Sequence, residues 1–297
     1  AITNSTSSGA VTGLSYVGGL AGRVYYGTVT ADSSTSAVTG TGANSYAGGL
    51  VGVLEHTSSI LNTSSHTTGL VKGLSYVGGL IGQSSGIVGE AVVSTPTYTT
   101  FVTSNLEASG NYVGGLIGNV ASGGSVTNSS VSGTVTGVTT SGVQGNAGSY
   151  VGGVMGWSWV ATSWNKYTGS LVKGGNSTGG LIGYNYTGAV TNSYSTGEVQ
   201  SNSSQVGGLV GYTYGAISGS TATTGSTTYA TGNVTGGDST GGLVGYVYNS
   251  VTVSNVYASG NVSGTSNVGG LVGFLYNYAG INNATAFGNV TGSSNYV

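Results

Sequence analysis

Val113-Gly114-Gly115-Leu116-Ile117-Gly118 is one of nine copies of a Gly-Gly-Leu-type hexapeptide, each opening with a small or β-branched residue. The copies begin at Val17, Ala47, Val77, Val113, Val151, Thr178, Val206, Thr240 and Val268, at spacings of 30, 30, 36, 38, 27, 28, 34 and 28 residues. Self-similarity at such a period marks a solenoid or a propeller. A second element, apolar-x-Asn, returns at Ile2-Thr3-Asn4, Ile60-Leu61-Asn62, Val126-Thr127-Asn128, Val190-Thr191-Asn192, Val253-Ser254-Asn255 and Ile281-Asn282-Asn283. A third, Gly-Asn-Val-Thr-Gly, stands at 232–236, 260–264 (with Ser263) and 288–292, with related versions at 133–137 and 197–201.

Each repeat thus holds three short β-prone stretches separated by Gly or Ser-Gly turns. Helical periodicity is absent, because glycine is too frequent and good helix formers too rare. A propeller needs four strands per blade over about 40–45 residues and fits less well. The expected fold is all-β: one parallel β-helix (β-solenoid) over 1–297, about ten coils of roughly 30 residues with three short strands each. Right-handed connection is the default for parallel crossovers. At ~4.8 Å per coil, the rod is roughly 45 Å long. The chain starts at Ala1 and stops at Val297 in mid-repeat, without the capping segments solenoids use. Loop insertions are expected at Ser84–Ser109, which holds Pro96, at Val138–Ser149, and around Thr221–Tyr229.

Composition narrows the function. Only 3% of residues are charged, whereas 60 are glycine and 21 are tyrosine. The four basic residues, Arg23, Lys72, Lys166 and Lys173, are scattered. Nucleic acid, which needs several cations to displace phosphate counterions, is therefore not an expected partner. No apolar run approaches the roughly 20 residues of a membrane helix, so no membrane insertion is expected. Without cysteine there are neither disulfides nor thiolate metal sites. So few titrating groups predict a stability nearly flat between about pH 4 and pH 9.

Catalysis requires titratable groups converging on one pocket. The acids Asp32, Glu55, Glu90, Glu107, Glu198 and Asp238 are spread thinly along the chain. Glu55-His56 with His66 is the one local concentration, and it lacks a recognised metal-ligand spacing. No enzyme activity, no cofactor and no metal site are expected. The Gly-Gly pairs lack the strand-to-helix context of a phosphate loop and read as places of close backbone packing.

The aromatic pattern is the main candidate site. Tyr16, Tyr46, Tyr76, Tyr112 and Tyr150 stand just before the first five hexapeptides. From the fifth onward aromatics follow the hexapeptide instead, as Trp157/Trp159, Tyr184/Tyr186, Tyr212/Tyr214, Tyr246/Tyr248 and Phe274/Tyr276. A spacing of two puts each pair on one strand face, and coil stacking turns the pairs into a ladder. That ladder is either a stabilising stack or an exposed strip that contacts glycans or another subunit. A second expected ladder is internal, built from Asn4, Asn62, Asn128, Asn192, Asn255 and Asn283 hydrogen-bonding coil to coil. Among ten Asn-x-Ser/Thr sequons, Asn233, Asn261 and Asn289 sit beside turns and are candidates for glycosylation.

The hexapeptides resemble the GLUG-motif repeats, named for Gly, Leu, a hydrophobic residue and Gly. The resemblance runs from Gly19-Leu20-Ala21-Gly22 to Gly270-Leu271-Val272-Gly273, with Val154-Met155 as the departing copy. Such repeats occur in large bacterial surface proteins, including filamentous-haemagglutinin-like adhesins and repeat regions of secreted proteases that cleave immunoglobulin A. The resemblance implies export to the cell surface or beyond, and no activity of its own. The expected function is the rigid shaft of a surface adhesin, or a subunit of an extracellular filament. The alternative is a carbohydrate-binding module using the aromatic ladder, or less readily an ice-binding one, since Thr-x-Thr rows such as Thr28/Thr30 and Thr134/Thr136 are scattered. The expected partners are other copies of the chain, end-to-end or lateral, further domains of the same chain, or surface glycans.

Overall fold

The computed structural model describes residues 1–56, 59–60, 65–89, 100–137, 149–220 and 226–294. Coils are numbered here by their hexapeptides, so that coil 1 opens at Val17 and coil 9 at Val268. Coil 4 shows the plan. Its strands are Val113–Gly114, Ile117–Val120, Ser125–Thr127, Ser129–Val131 and Val135–Gly137. Each pairs in parallel with its equivalent one coil on: Val113 with Val151, Ile117 with Met155, Val126 with Thr162, Val131 with Tyr167, Val135 with Val172. Stacking gives five ladders. The first and second hold nine strands each, the third and fourth share an 18-stranded sheet, and the fifth holds ten.

The protein is thus a parallel β-helix. Its three stretches per repeat become five strands because two of them turn a corner internally. The hexapeptide bends between the first and second ladders. The apolar-x-Asn run bends at its Asn position, where Asn4, Asn128, Asn192, Asn255 and Asn283 have φ of 48–53°. Asn tolerates this left-handed conformation better than most residues, although Ala31 and Trp164 hold the same corner in other coils. In coils 8 and 9 the two strands merge into Thr252–Ala258 and Gly280–Ala286.

The hexapeptide glycines answer a steric demand. A Cβ on Gly115 would lie 2.0 Å from the Gly153 carbonyl oxygen of the next coil, and one on Gly114 2.0 Å from the Ile117 oxygen. The same contacts recur at Gly79, 2.1 Å from Gly115 O, and at Gly180, 2.1 Å from Gly208 O. Backbones approach so closely here that no side chain fits. The leucine that follows faces inward, and Leu50, Leu80, Leu116, Leu181, Leu209 and Leu243 are fully buried. Val154 and Met155, the departing copy, are buried as completely.

At this corner one hydrogen bond repeats through the whole stack. It runs Leu20 N–H to Leu50 O (2.9 Å), Leu50 to Leu80 (3.0 Å), Leu80 to Leu116 (2.9 Å) and Leu116 to Val154 (2.9 Å). It continues from Val154 to Leu181 (2.9 Å), Leu181 to Leu209, Leu209 to Leu243 and Leu243 to Leu271 (2.8 Å each). Longer repeats do not interrupt it. Strands flanking them keep register too, with Val88 paired to Val126 and Val102 to Val131. Ile81–Ser84, Ile87–Val88, Thr100–Val102 and Leu106–Ala108 are therefore regular coil strands, which corrects the first expected insertion at both its edges. Tyr229 likewise belongs to a coil, pairing with Tyr194 and Tyr257. Residues 90–99 with Pro96, 138–148 and 221–225 lie outside the described residues.

The expected internal Asn ladder is displaced by one residue. Asn4 and Asn283 are exposed, Asn192 and Asn255 half-buried, and Asn128 buried; Asn62 lies outside the described residues. One rung joins them, Asn283 Nδ2–H to Asn255 Oδ1 at 2.6 Å. The left-handed corner keeps this column from lining the interior along its length, and the residue after it points inward. That next residue is Asp32, Ser129, Asn165 or Ser193 in four coils, each buried; Thr228 takes the equivalent place beside Ser193 one coil on, and Val256 the apolar one after Asn255. The polar side chain accepts the backbone N–H of the coil before: Ser5 N–H to Asp32 Oδ1 (2.6 Å), Ser129 N–H to Asn165 Oδ1 (3.0 Å), and Asn165 N–H to Ser193 Oγ (3.0 Å). A buried N–H without a partner is costly, and this column removes that cost at the corner.

Candidate functional site: an outward aromatic spine

In the second ladder, alternate residues face opposite ways. Ser158, Asn185, Thr213 and Val247 are buried inside, so the aromatics flanking them face outward. Trp157, Tyr184, Tyr212, Tyr246 and Phe274 form one file, with centroid separations of 4.1, 4.8, 4.8 and 5.1 Å between successive rings. Trp159, Tyr186, Tyr214, Tyr248 and Tyr276 form a second file alongside, at 4.0, 5.6, 4.7 and 5.1 Å. Most of these rings are half-buried by their neighbours, Tyr212 is buried, and Trp159 and Tyr276 are exposed. The structure therefore combines outward orientation with coil-to-coil stacking.

The tyrosines before the hexapeptides form their own file. Tyr16, Tyr46, Tyr76, Tyr112 and Tyr150 stack at 5.5, 4.6, 4.6 and 5.3 Å. This file meets the others where Tyr150 abuts Trp157 at 4.7 Å and Tyr184 at 5.3 Å, edge to face in both cases. One aromatic spine thus runs from coil 1 to coil 9, changing ladder at coil 5. From coil 6 the position before the hexapeptide holds Ser177, Gln205, Ser239 and Asn267 instead. Beside this change of ladder lies a groove of about 460 Å³, bordered by Tyr150, Tyr184, Tyr212, Ser177 and Gln205.

Packing alters the phenols. Burial raises the pKa of Tyr184 and Tyr212, and the neighbouring Tyr214 phenol raises them further. Burial likewise raises Tyr46, Tyr76, Tyr150 and Tyr246. A third outward file, Tyr194, Tyr229 and Tyr257, stacks at 4.6 and 4.9 Å in the fourth ladder, and Tyr229 is pushed up to about 12. Its signal in the sequence is Tyr-Ser/Ala-x-Gly at Tyr194, Tyr229 and Tyr257, a pattern the hexapeptide-centred expectation does not include.

Glu55 pairs with Arg23 at 2.6 Å, and His56 stacks on Tyr26 at 4.8 Å; the His66 side chain is outside the described residues. Among the described residues, no three His, Asp or Glu side chains come together as a metal site. No helix among them is long and apolar enough to cross a membrane. Asn233, Asn261 and Asn289 are exposed and form an outer ladder. Asn233 Oδ1 accepts Asn261 N–H and Asn261 Oδ1 accepts Asn289 N–H, each at 3.0 Å.

Fold and surface together define a β-solenoid of glycine-leucine repeats with a stacked aromatic flank. The chain carries GLUG-motif repeats: segments 109–136, 174–200, 202–228 and 264–291 match the family model of the GLUG motif. That motif is associated with surface-type repeat proteins of bacteria. The other five hexapeptides lie outside the matched segments yet stack in the same ladders. No curated protein and no solved structure matches the chain.

Proposed function

We propose that the chain is a non-catalytic, exported shaft: a stiff length of a bacterial cell-surface protein that holds other parts of that protein away from the cell. The observation that carries this reading is the unbroken hydrogen-bond column from Leu20 to Leu271. Each coil is bonded to the next through five ladders, so bending the rod would strain many parallel bonds at once. Such an array is close to a one-dimensional stack in which every repeat supports its neighbours. Two further observations support the reading: the chain carries GLUG repeats, a motif of surface-type proteins, and its scarcity of charge suits a mechanical part better than a chemical one.

Electron microscopy of the purified chain over a concentration series tests the reading. Isolated rods, roughly 45 Å long at every concentration, are the expected result. Filaments that lengthen with concentration would replace the shaft with a filament subunit. Flexible or irregular particles would overturn both.

A further inference from the structure

The spine's change of ladder leaves a built groove rather than a seam. The rung after Tyr150 is Ser177, since Tyr150 N–H donates to Asn176 O at 2.9 Å and Val151 N–H to Ser177 O at 3.2 Å. Ser177 is the first residue at this position too small to cover the preceding ring, and Gln205 follows it one coil later. The space that further tyrosines of the file would fill is the groove of about 460 Å³, within the usual range of small-ligand clefts.

Its polar lining is ordered and neutral. Ser177 Oγ–H donates to Gln205 Oε1 at 2.6 Å. Asn176 Oδ1 accepts Ser204 N–H at 3.2 Å and the Ser203 hydroxyl. Both amide oxygens are thereby engaged, and the amide N–H groups of Asn176 and Gln205 remain as donors for a ligand. The same groove is lined by the aromatic residues Tyr150, Tyr184 and Tyr212. There is no cation in the lining to hold a phosphate or carboxylate, and no carboxylate to hold an amine. Amide donors, hydroxyls and aromatic surface without charge suit a neutral polyhydroxylated ring, whose C–H face packs on aromatics while its hydroxyls take the hydrogen bonds. The Asn176–Ser177 and Ser204–Gln205 pairs are related by one coil, about 4.8 Å, close to the length of one hexose in an extended chain.

We propose that this groove binds two successive units of a neutral, extended hexose polysaccharide lying along the rod axis. The proposal does not rest on the shaft reading, and a rod that ignores sugar would still be a shaft. The test uses cellohexaose and mannohexaose, titrated into the whole chain by calorimetry and followed by tryptophan fluorescence, Trp157 being in contact with Tyr150. At least one of the two is expected to bind. The double variant S177Y/Q205Y should weaken that binding at least tenfold by continuing the tyrosine file into the groove. The backbone accepts the change: Ser177 and Gln205 have φ of 50° and 63°, and Tyr76, Tyr112 and Tyr150 hold the same position at 53°, 62° and 63°. Gln205→Leu, which keeps the side-chain bulk and removes the amide, should also weaken binding and decides the matter if the double variant misfolds. Binding of neither hexaose, or equal binding by wild type and Gln205→Leu, overturns the proposal. So does a groove whose filling changes self-association in sedimentation while neither sugar binds, because its occupant would then be protein.

Discussion

Gly115→Ala is expected to lower the unfolding midpoint by far more than a surface substitution, with a loss of about 3 kcal/mol or more. The added methyl would lie 2.0 Å from Gly153 O and 2.7 Å from Val131 Cγ1. Neither neighbour can yield cheaply. Gly153 is held in the first ladder by its own bond, Gly153 N–H to Gly179 O at 3.2 Å, and Val131 is fully buried. Relief therefore requires separating coil 4 from coil 5, which strains the Leu116–Val154 bond beside it. Gly280→Ala is the control: its methyl meets nothing within 4 Å, and Gly280 has no left-handed φ. That variant should stay within about 1 kcal/mol of wild type. Denaturant unfolding followed by circular dichroism compares the two, and equal midpoints for Gly115→Ala and Gly280→Ala would sink the steric account of the motif.

Alkali is expected to unfold the rod. Burial raises the phenol pKa of Tyr46, Tyr76, Tyr150, Tyr184, Tyr212, Tyr246 and Tyr257, and takes Tyr229 to about 12. Tyr167 is raised as well; it is fully buried, and its hydroxyl donates to Leu171 O at 2.7 Å. In the unfolded chain a phenol titrates near pH ~10. The fold thus favours the neutral form. The stability linked to these groups is complete below pH ~10 and is lost as pH rises from there towards the folded values. A cooperative transition between about pH 10 and pH 12 is expected, with phenolate absorbance and loss of strand dichroism sharing one midpoint. Tyrosines that titrate singly near their ordinary pKa while the dichroism stays constant would show that the stacks do not hold their protons.

The coil and its period were legible because the hexapeptide encodes a backbone contact. Only glycine fits at Gly114 and Gly115, so every coil must repeat it at the same place. The corners were not legible. A left-handed φ at Asn128 or Asn192 leaves no unique mark, since Ala31 and Trp164 satisfy it too. The sequence pattern therefore points to Asn128 and its equivalents as the inward ladder, where the structure has Ser129, Asn165 and Ser193. For the aromatic pairs, parity joined Tyr184 to Tyr186 on one face but could not distinguish inside from outside. The decisive neighbours were Asn185 and Thr213, polar residues that look exposed in a sequence. Both are fully buried, with Asn185 Nδ2–H bonded to Thr213 Oγ1 at 3.0 Å. The groove was hidden for a related reason, because its key event is the replacement of a tyrosine by Ser177 in a chain already rich in serine.

The column from Leu20 to Leu271 also determines how the rod yields to tension. Its bonds lie along the axis and connect the coils in series, so a pull on the two ends loads all the junctions equally and opens them one at a time. Each coil that peels away frees about 30 residues, or roughly 100 Å of slack at full extension. A molecule anchored at one end and attached at the other would lengthen stepwise under a tug, shedding the load before its attachments part.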